Sequence, residues 1–229
     1  MFRINARDSV LRIAAACCLL VQTTASYAAS KEKAEGKPPE KTIYDYSLVG
    51  FDGKEVPLST FKDKVLVIVN LASQSIFKNQ LEALETLQKT YKDKGLVVLG
   101  IPSNDFGALE PGTDAEIQKI YINNLHVDFP LFSRVSVRGK DQSPVYGFLT
   151  SNKKDKKDKT GGDVHWSYTK FIVDRAGKVV ARFEPEVAPD SPELQATIEN
   201  VLAGTLKPAK EEVESAKAKS DEDDDDSER

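Results

Sequence analysis

Serine 75 sits where chemistry is most expected. It follows a β-branched run, VIVNLASQS (67–75), and precedes a stretch of helical periodicity. A serine there has two readings. As a helix N-cap it accepts a hydrogen bond from a backbone N–H two or three residues on. As a hydrolytic nucleophile it needs a base within hydrogen-bond reach. His165 and Asp105 are the residues that could complete such a triad, but no Gly-x-Ser-x-Gly elbow surrounds Ser75. If 165–167 is extended, His165 and its neighbour point to opposite faces. The two histidines, His126 and His165, lie far apart and have no cysteine near them, so no metal site or cofactor is expected.

Sulfur is the sharper constraint. The two Cys and one Met of the chain are Met1, Cys17 and Cys18. Residues 1–28 read as a secretory signal peptide: Arg3, Arg7 and Arg12, then an apolar IAAACCLLV, then the small-x-small pattern Ser26-Tyr27-Ala28. An uncleaved anchor and a lipoprotein using Cys17 are the alternatives, but the apolar run is short of the roughly 20 residues that span a bilayer. Cleavage after Ala28 yields a secreted or periplasmic chain, not integral to the membrane, with no sulfur atom. Disulfides, zinc–thiolate sites and thiol catalysis are then excluded.

The net charge of −4 over 229 residues gives no basic balance for nucleic acid. Residues 29–41 form a charged linker. Residues 207–229 form an acidic tail with ten acids against five bases, ending DEDDDDSER. A solvated disordered tail is the plain reading, with a divalent cation or basic partner as the sharper one. NKKDKKDKTGGD (152–163) packs five lysines just before Trp166. It reads as a solvated loop, an anion-attracting rim, or a dock for the acidic tail.

Residues 42–206 must position the rest. VGFDGKEVPL (49–58) reads as a hairpin with a two-residue Asp52-Gly53 turn. KVLVIVN (64–70) and GLVVLGIPS (95–103) read as buried strands, joined through a helix over 77–95 that carries Leu81, Leu84, Leu87 and Tyr91. Thr113 opens a helix bearing Ile117, Ile120, Tyr121 and Leu125. FPLF (129–132) reads as a short strand or turn, and Pro144 starts a short helix. TKFIVD and KVVARFEP (169–185) form an antiparallel hairpin, and Pro192 opens the last helix. This order predicts an α/β fold, a thioredoxin-like mixed sheet flanked by helices.

Four ordered segments resemble the glutathione peroxidase family: VIVNLASQS (67–75), IPSNDFGALEPG (101–112), EIQKIYINNLHVDFPLF (116–132) and HWSYTKFIVDRAGKVVARFEP (165–185). The resemblance covers nearly all of 42–204 and implies the same thioredoxin-like fold. It also implies an oxidative-stress setting, with glutathione or another thiol as reductant if the site is active. The family tetrad of Cys or selenocysteine, Gln, Trp and Asn maps onto Ser75, Asp105, Trp166 and Ser167, so only Trp166 matches. Ile76 replaces the usual Gly after the nucleophile, Ser103 replaces the Cys of the second motif, and Leu109 replaces a Gln.

A hydroxyl cannot be oxidised by two electrons and then reduced as a thiolate can. The expectation is therefore a catalytically impaired homologue acting as a binding or scaffold module for an unidentified protein or small molecule. Two alternatives stand beside it. One is hydroperoxide reduction by an external thiol held near Trp166. The other is a Ser75-dependent hydrolase.

Overall fold

The strand Val65–Leu71 (β3) is buried at every position. That burial has a topological cause. A parallel neighbour, β4 (Leu96–Pro102), flanks it on one side and an antiparallel neighbour, β5 (Lys170–Val173), on the other, and β6 (Val179–Phe183) completes the order β4-β3-β5-β6. The computed structural model describes residues 40–151 and 160–206. The expected signal peptide (1–28), most of the 29–41 linker, the lysines of 153–159 and the acidic tail lie outside the described residues.

Two apolar layers cover this sheet. On one face Val65, Val67, Val69 and Leu71 pack against α1 (Gln80–Tyr91), α2 (Asp114–Lys119) and α4 (Pro192–Leu202), through residues such as Leu84, Ile117 and Ile198. On the other face Leu66 and Ile68 meet α3 (Pro144–Thr150) through Val145, Tyr146 and Leu149. The small hairpin of β1 (Ser47–Val49) and β2 (Glu55–Pro57) adds Leu48 to that second layer. Period-2 alternation along β3 thus feeds two cores, each fully buried aliphatic side chain contributing about 1.5–3 kcal/mol.

The local signals work largely as read. Thr113 and Glu116 form a reciprocal capping box at α2. Gly95 takes the left-handed conformation (φ 95°) that ends the turn after α1. Segment 129–132 joins the edge of β4 through a parallel bridge between Gly100 and Leu131. Gly100 permits this approach, because a Cβ there would lie 2.6 Å from Leu131 and 2.8 Å from both Leu71 and Phe129.

Three details differ from the sequence reading. The first hairpin turns through residues 50–54, not through two residues: Gly50 and Lys54 bond to each other, and Asp52 Oδ1 accepts from the Lys54 N–H. The helix after Ser75 begins only at Gln80, because residues 75–79 run through successive tight turns. The helix opened by Thr113 loosens into a π-helical turn over Ile120–Asn124, which leaves Leu125 exposed while Tyr121 is buried.

The parallel pair β3–β4 directs both C-terminal ends to one pole of the sheet. The antiparallel β5 begins at the same pole, with Lys170 opposite Val69. The segments 72–79, 103–113 and 164–169 therefore converge there. Loops at the carboxyl ends of parallel strands are where α/β folds place their sites.

Candidate functional site

Two of the four expected site residues touch. The Ser167 hydroxyl donates to Ser75 Oγ at 2.8 Å, across 92 residues of chain. Ser75 Oγ also accepts from the Phe77 N–H at 3.2 Å, the bond that a capping serine makes two residues on. Both serines are buried, Ser75 at 2% and Ser167 at 0% exposure. The pair is a closed polar contact, not a hydroxyl presented to solvent.

Trp166 lies beside it and is 38% exposed. Its ring packs against Phe106 with centroids 5.8 Å apart, and the Arg138 guanidinium covers Phe106 at 4.5 Å. Its backbone carbonyl is fixed by Asn70 Nδ2 (3.0 Å) and by the Thr169 hydroxyl (3.1 Å). Ile76, next to Ser75, is 81% exposed at the same mouth.

Asp105 turns away from this contact. Its Oδ2 accepts from the Val137 N–H at 2.6 Å and from the Ser136 hydroxyl at 3.0 Å, so it ties down the 136–137 segment. His165 is exposed. Among the described residues neither His165 nor Asp105 bonds to Ser75, so the Ser75–His165–Asp105 triad does not form. The reason is local: backbone and hydroxyl donors satisfy the Asp105 carboxylate one strand-end away.

The loop bearing Ser75 is anchored from below by a residue the sequence reading left without a role. Glu110 is fully buried. Its carboxylate accepts from the Ser73 N–H (2.7 Å), the Ser73 hydroxyl (2.9 Å) and the Tyr121 hydroxyl (2.5 Å). Leu109 C=O accepts from the Gln74 N–H at 3.0 Å, a further tie between the same segments. Burial raises the Glu110 pKa, opposed by the Tyr121 and Ser73 hydrogen bonds and by the Arg134 charge. Glu110 was visible in the sequence only as part of the EPG of the second motif; no spacing links it to Ser73.

Lys170 was missed as well. It is fully buried in β5, and its Nζ donates to the Val187 carbonyl at 2.6 Å. Burial lowers its pKa from 10.5 to about 8. With Gln80, whose Nε2 donates to Pro185 O at 2.6 Å, it pins the 184–187 segment at the site pole. Tyr168, between Ser167 and these residues, holds φ at 67° while fully buried. That is a strained conformation for a bulky residue, of the kind that collects at functional sites. Among the described residues no group of His, Cys, Asp or Glu is arranged to hold a metal ion.

A glutathione peroxidase family model matches residues 43–150. The chain is 40% identical over 160 residues to a glutathione peroxidase of Lactococcus lactis, covering 70% of this chain and 99% of that one. The chain belongs to the glutathione peroxidase family. Among solved structures, Trgpx in its apo form superposes with a TM-score of 0.57 at 28% identity, covering 72% of this chain and 97% of that one. A thiol:disulfide interchange protein of Chlorobium tepidum, described as putative DsbE, gives 0.51 at 21% identity over 73% and 99% of the two chains, a likeness of fold alone. The thioredoxin-like α/β fold is thereby shown. Within this glutathione peroxidase frame the segments carrying Ser75, Asp105, Trp166 and Ser167 do converge at one pole, but only Ser75 and Ser167 are in hydrogen-bond contact.

Proposed function

We propose that this glutathione peroxidase-family protein does not run the family's thiol cycle and serves as an exported binding module on the thioredoxin-like frame. The observation that carries this reading is Ser75, with its hydroxyl buried and bonded to Ser167 where a thiolate or selenolate is required. Reduction of a hydroperoxide in that cycle transfers one oxygen atom to sulfur or selenium and releases an alcohol or water. The oxidised residue is then returned by two thiols, which leave as a disulfide. A serine oxygen has no equivalent oxidation state to pass through. No cysteine after Cys18 is available to take its place. Export rests on the signal-like residues 1–28.

The test is peroxide consumption by the purified chain, with and without residues 1–28, using glutathione and separately thioredoxin as reductant. A rate equal to the no-protein control is expected. A rate above it that Trp166→Ala removes would overturn the reading. It would favour the second one, direct attack of an external thiol on peroxide held beside Trp166. That alternative draws on the half-exposed indole and on the peroxidase names of the relatives.

A further inference from the structure

The mouth next to Ser75 carries N–H donors left without an acceptor among the described residues. The Trp166 indole N–H has no acceptor among the described residues, although the ring is 38% exposed. Arg138, whose guanidinium covers Phe106, is exposed and spends one Nη2 bond on the Asp105 carbonyl (2.9 Å). No described carboxylate pairs with it. An indole and a guanidinium that both pack on the Phe106 ring, next to the exposed Ile76, offer N–H donors suited to carboxylates.

We propose that these donors are occupied by the chain's own acidic tail, through the run Asp221–Asp226, so that the tail covers the mouth in cis. Charge complementarity is the first argument: residues 207–229 carry ten acids against five bases, and six of the acids fall at 221–226.

Reach is the second argument. The tail leaves from the end of α4, and Glu199 of α4 bonds to Tyr91 at the C-terminal end of α1. The mouth lies beyond the N-terminal end of α1. The tail must therefore cross about the 18 Å length of that twelve-residue helix to reach it. The acidic run begins 15 residues past Leu206 and ends 20 past it. A flexible chain of that length has an end-to-end distance of about 20–27 Å. Local concentration is highest when linker and span match, and is then in the millimolar range, so even a weak contact would be well populated.

This inference goes beyond the loss of peroxidase chemistry. It names what occupies the mouth and is read without turnover, so its failure would leave the proposed function standing.

Trp166 is the single tryptophan of the chain, so its emission reports this mouth alone. The test is acrylamide quenching of the full chain, of a chain ending at Leu206, of a full chain with the five Asp of 221–226 changed to Asn and Glu222 to Gln, and of Arg138→Gln. Quenching about two-fold stronger in all three variants than in the full chain is expected. A peptide of residues 207–229 added at millimolar concentration should reverse it in the shortened chain, but not when Arg138→Gln is also present. Molar salt, with a Debye length near 3 Å, should mimic the deletion. Equal quenching in the full, shortened and Asn-substituted chains overturns the proposal. So does an effect of the deletion that Arg138→Gln does not share, since the tail would then dock elsewhere, as on the lysines of 153–159.

Discussion

Ser75→Cys places a thiol in the environment now occupied by a hydroxyl, and the two donors there set what that thiol can do. The Ser167 hydroxyl reaches position 75 at 2.8 Å and the Phe77 N–H at 3.2 Å. A hydrogen bond to an ionised acceptor is worth about 1.5–3 kcal/mol. One pKa unit corresponds to about 1.4 kcal/mol. Each donor should therefore lower the pKa of a thiol at 75 by about 1–2 units. Burial opposes this and pushes the thiol up. That opposing term is common to Ser75→Cys and to Ser75→Cys with Ser167→Ala, so the difference between the two variants isolates the Ser167 bond. The double variant should titrate about 1–2 units higher. The assay is the pH dependence of alkylation by iodoacetamide, in a chain lacking Cys17 and Cys18 so that a single thiol reacts. Equal pKa values in the two variants would refute the assignment of Ser167 as a donor to position 75. The single variant should form a sulfenic acid with peroxide, and any return to the thiol must come from two external thiols, because no second cysteine is present to form an internal disulfide.

Other outcomes follow from the same coordinates. Tyr168→Phe removes a buried hydroxyl that has no hydrogen-bond partner among the described residues, so it should stabilise the fold by about 1 kcal/mol and raise the Tm by about 2–4 °C in a thermal melt. Gly100→Ala drives a methyl into Leu131, Leu71 and Phe129 and should cost about 1–3 kcal/mol in denaturant unfolding. Lys170 has a folded pKa of about 8 against 10.5 for the free side chain. Between these values the unfolded chain binds more protons, so stability should rise with pH from about 8 to 10.5 relative to Lys170→Met, and the two chains should run parallel below pH 7. A difference that falls with pH in that window would contradict the burial-driven shift.

How much of this was legible depends on the range of the interaction. The sheet could be read because VLVIVN and LVVLGI are too uniformly apolar for half-exposed strands, and the capping box at Thr113 and Glu116 is encoded within four residues. The late start of α1 was not legible, since tight turns over 75–79 use side chains that a helix would also accept. Nor was the five-residue turn at 50–54, where Asp52-Gly53 gives a correct turn signal but an incorrect length. The site divides the same way. Ser75 accepts from Phe77 as a capping serine would, but α1 starts five residues later at Gln80, so Ser75 closes a turn and does not cap the helix, whereas Ser167 on Ser75 and Ser73 on Glu110 join residues 92 and 37 apart. Only the family resemblance brought Ser167 into view, and nothing pointed to Glu110.

The Glu110 anchor bears on what a serine at position 75 implies. A buried carboxylate is costly unless its oxygens are satisfied, and removing its partners strands it. Here the partners are Ser73, two residues before Ser75, and Tyr121 on another element. The loop that would hold a reactive residue thus keeps its position for reasons independent of that residue. A serine in place of sulfur at 75 therefore leaves the mouth unloosened, and Trp166 stays fixed through its carbonyl by Asn70 and Thr169. Glu110→Gln tests this separation. It keeps an acceptor for one Ser73 donor but weakens the others, so it should cost about 1–3 kcal/mol. Because the same network holds the loop, it should also shift the Trp166 emission of the folded chain. If Glu110→Gln lowers stability while leaving that emission and its quenching unchanged, Glu110 supports the core and not the mouth, and the mouth must be held by the Asn70 and Thr169 contacts alone.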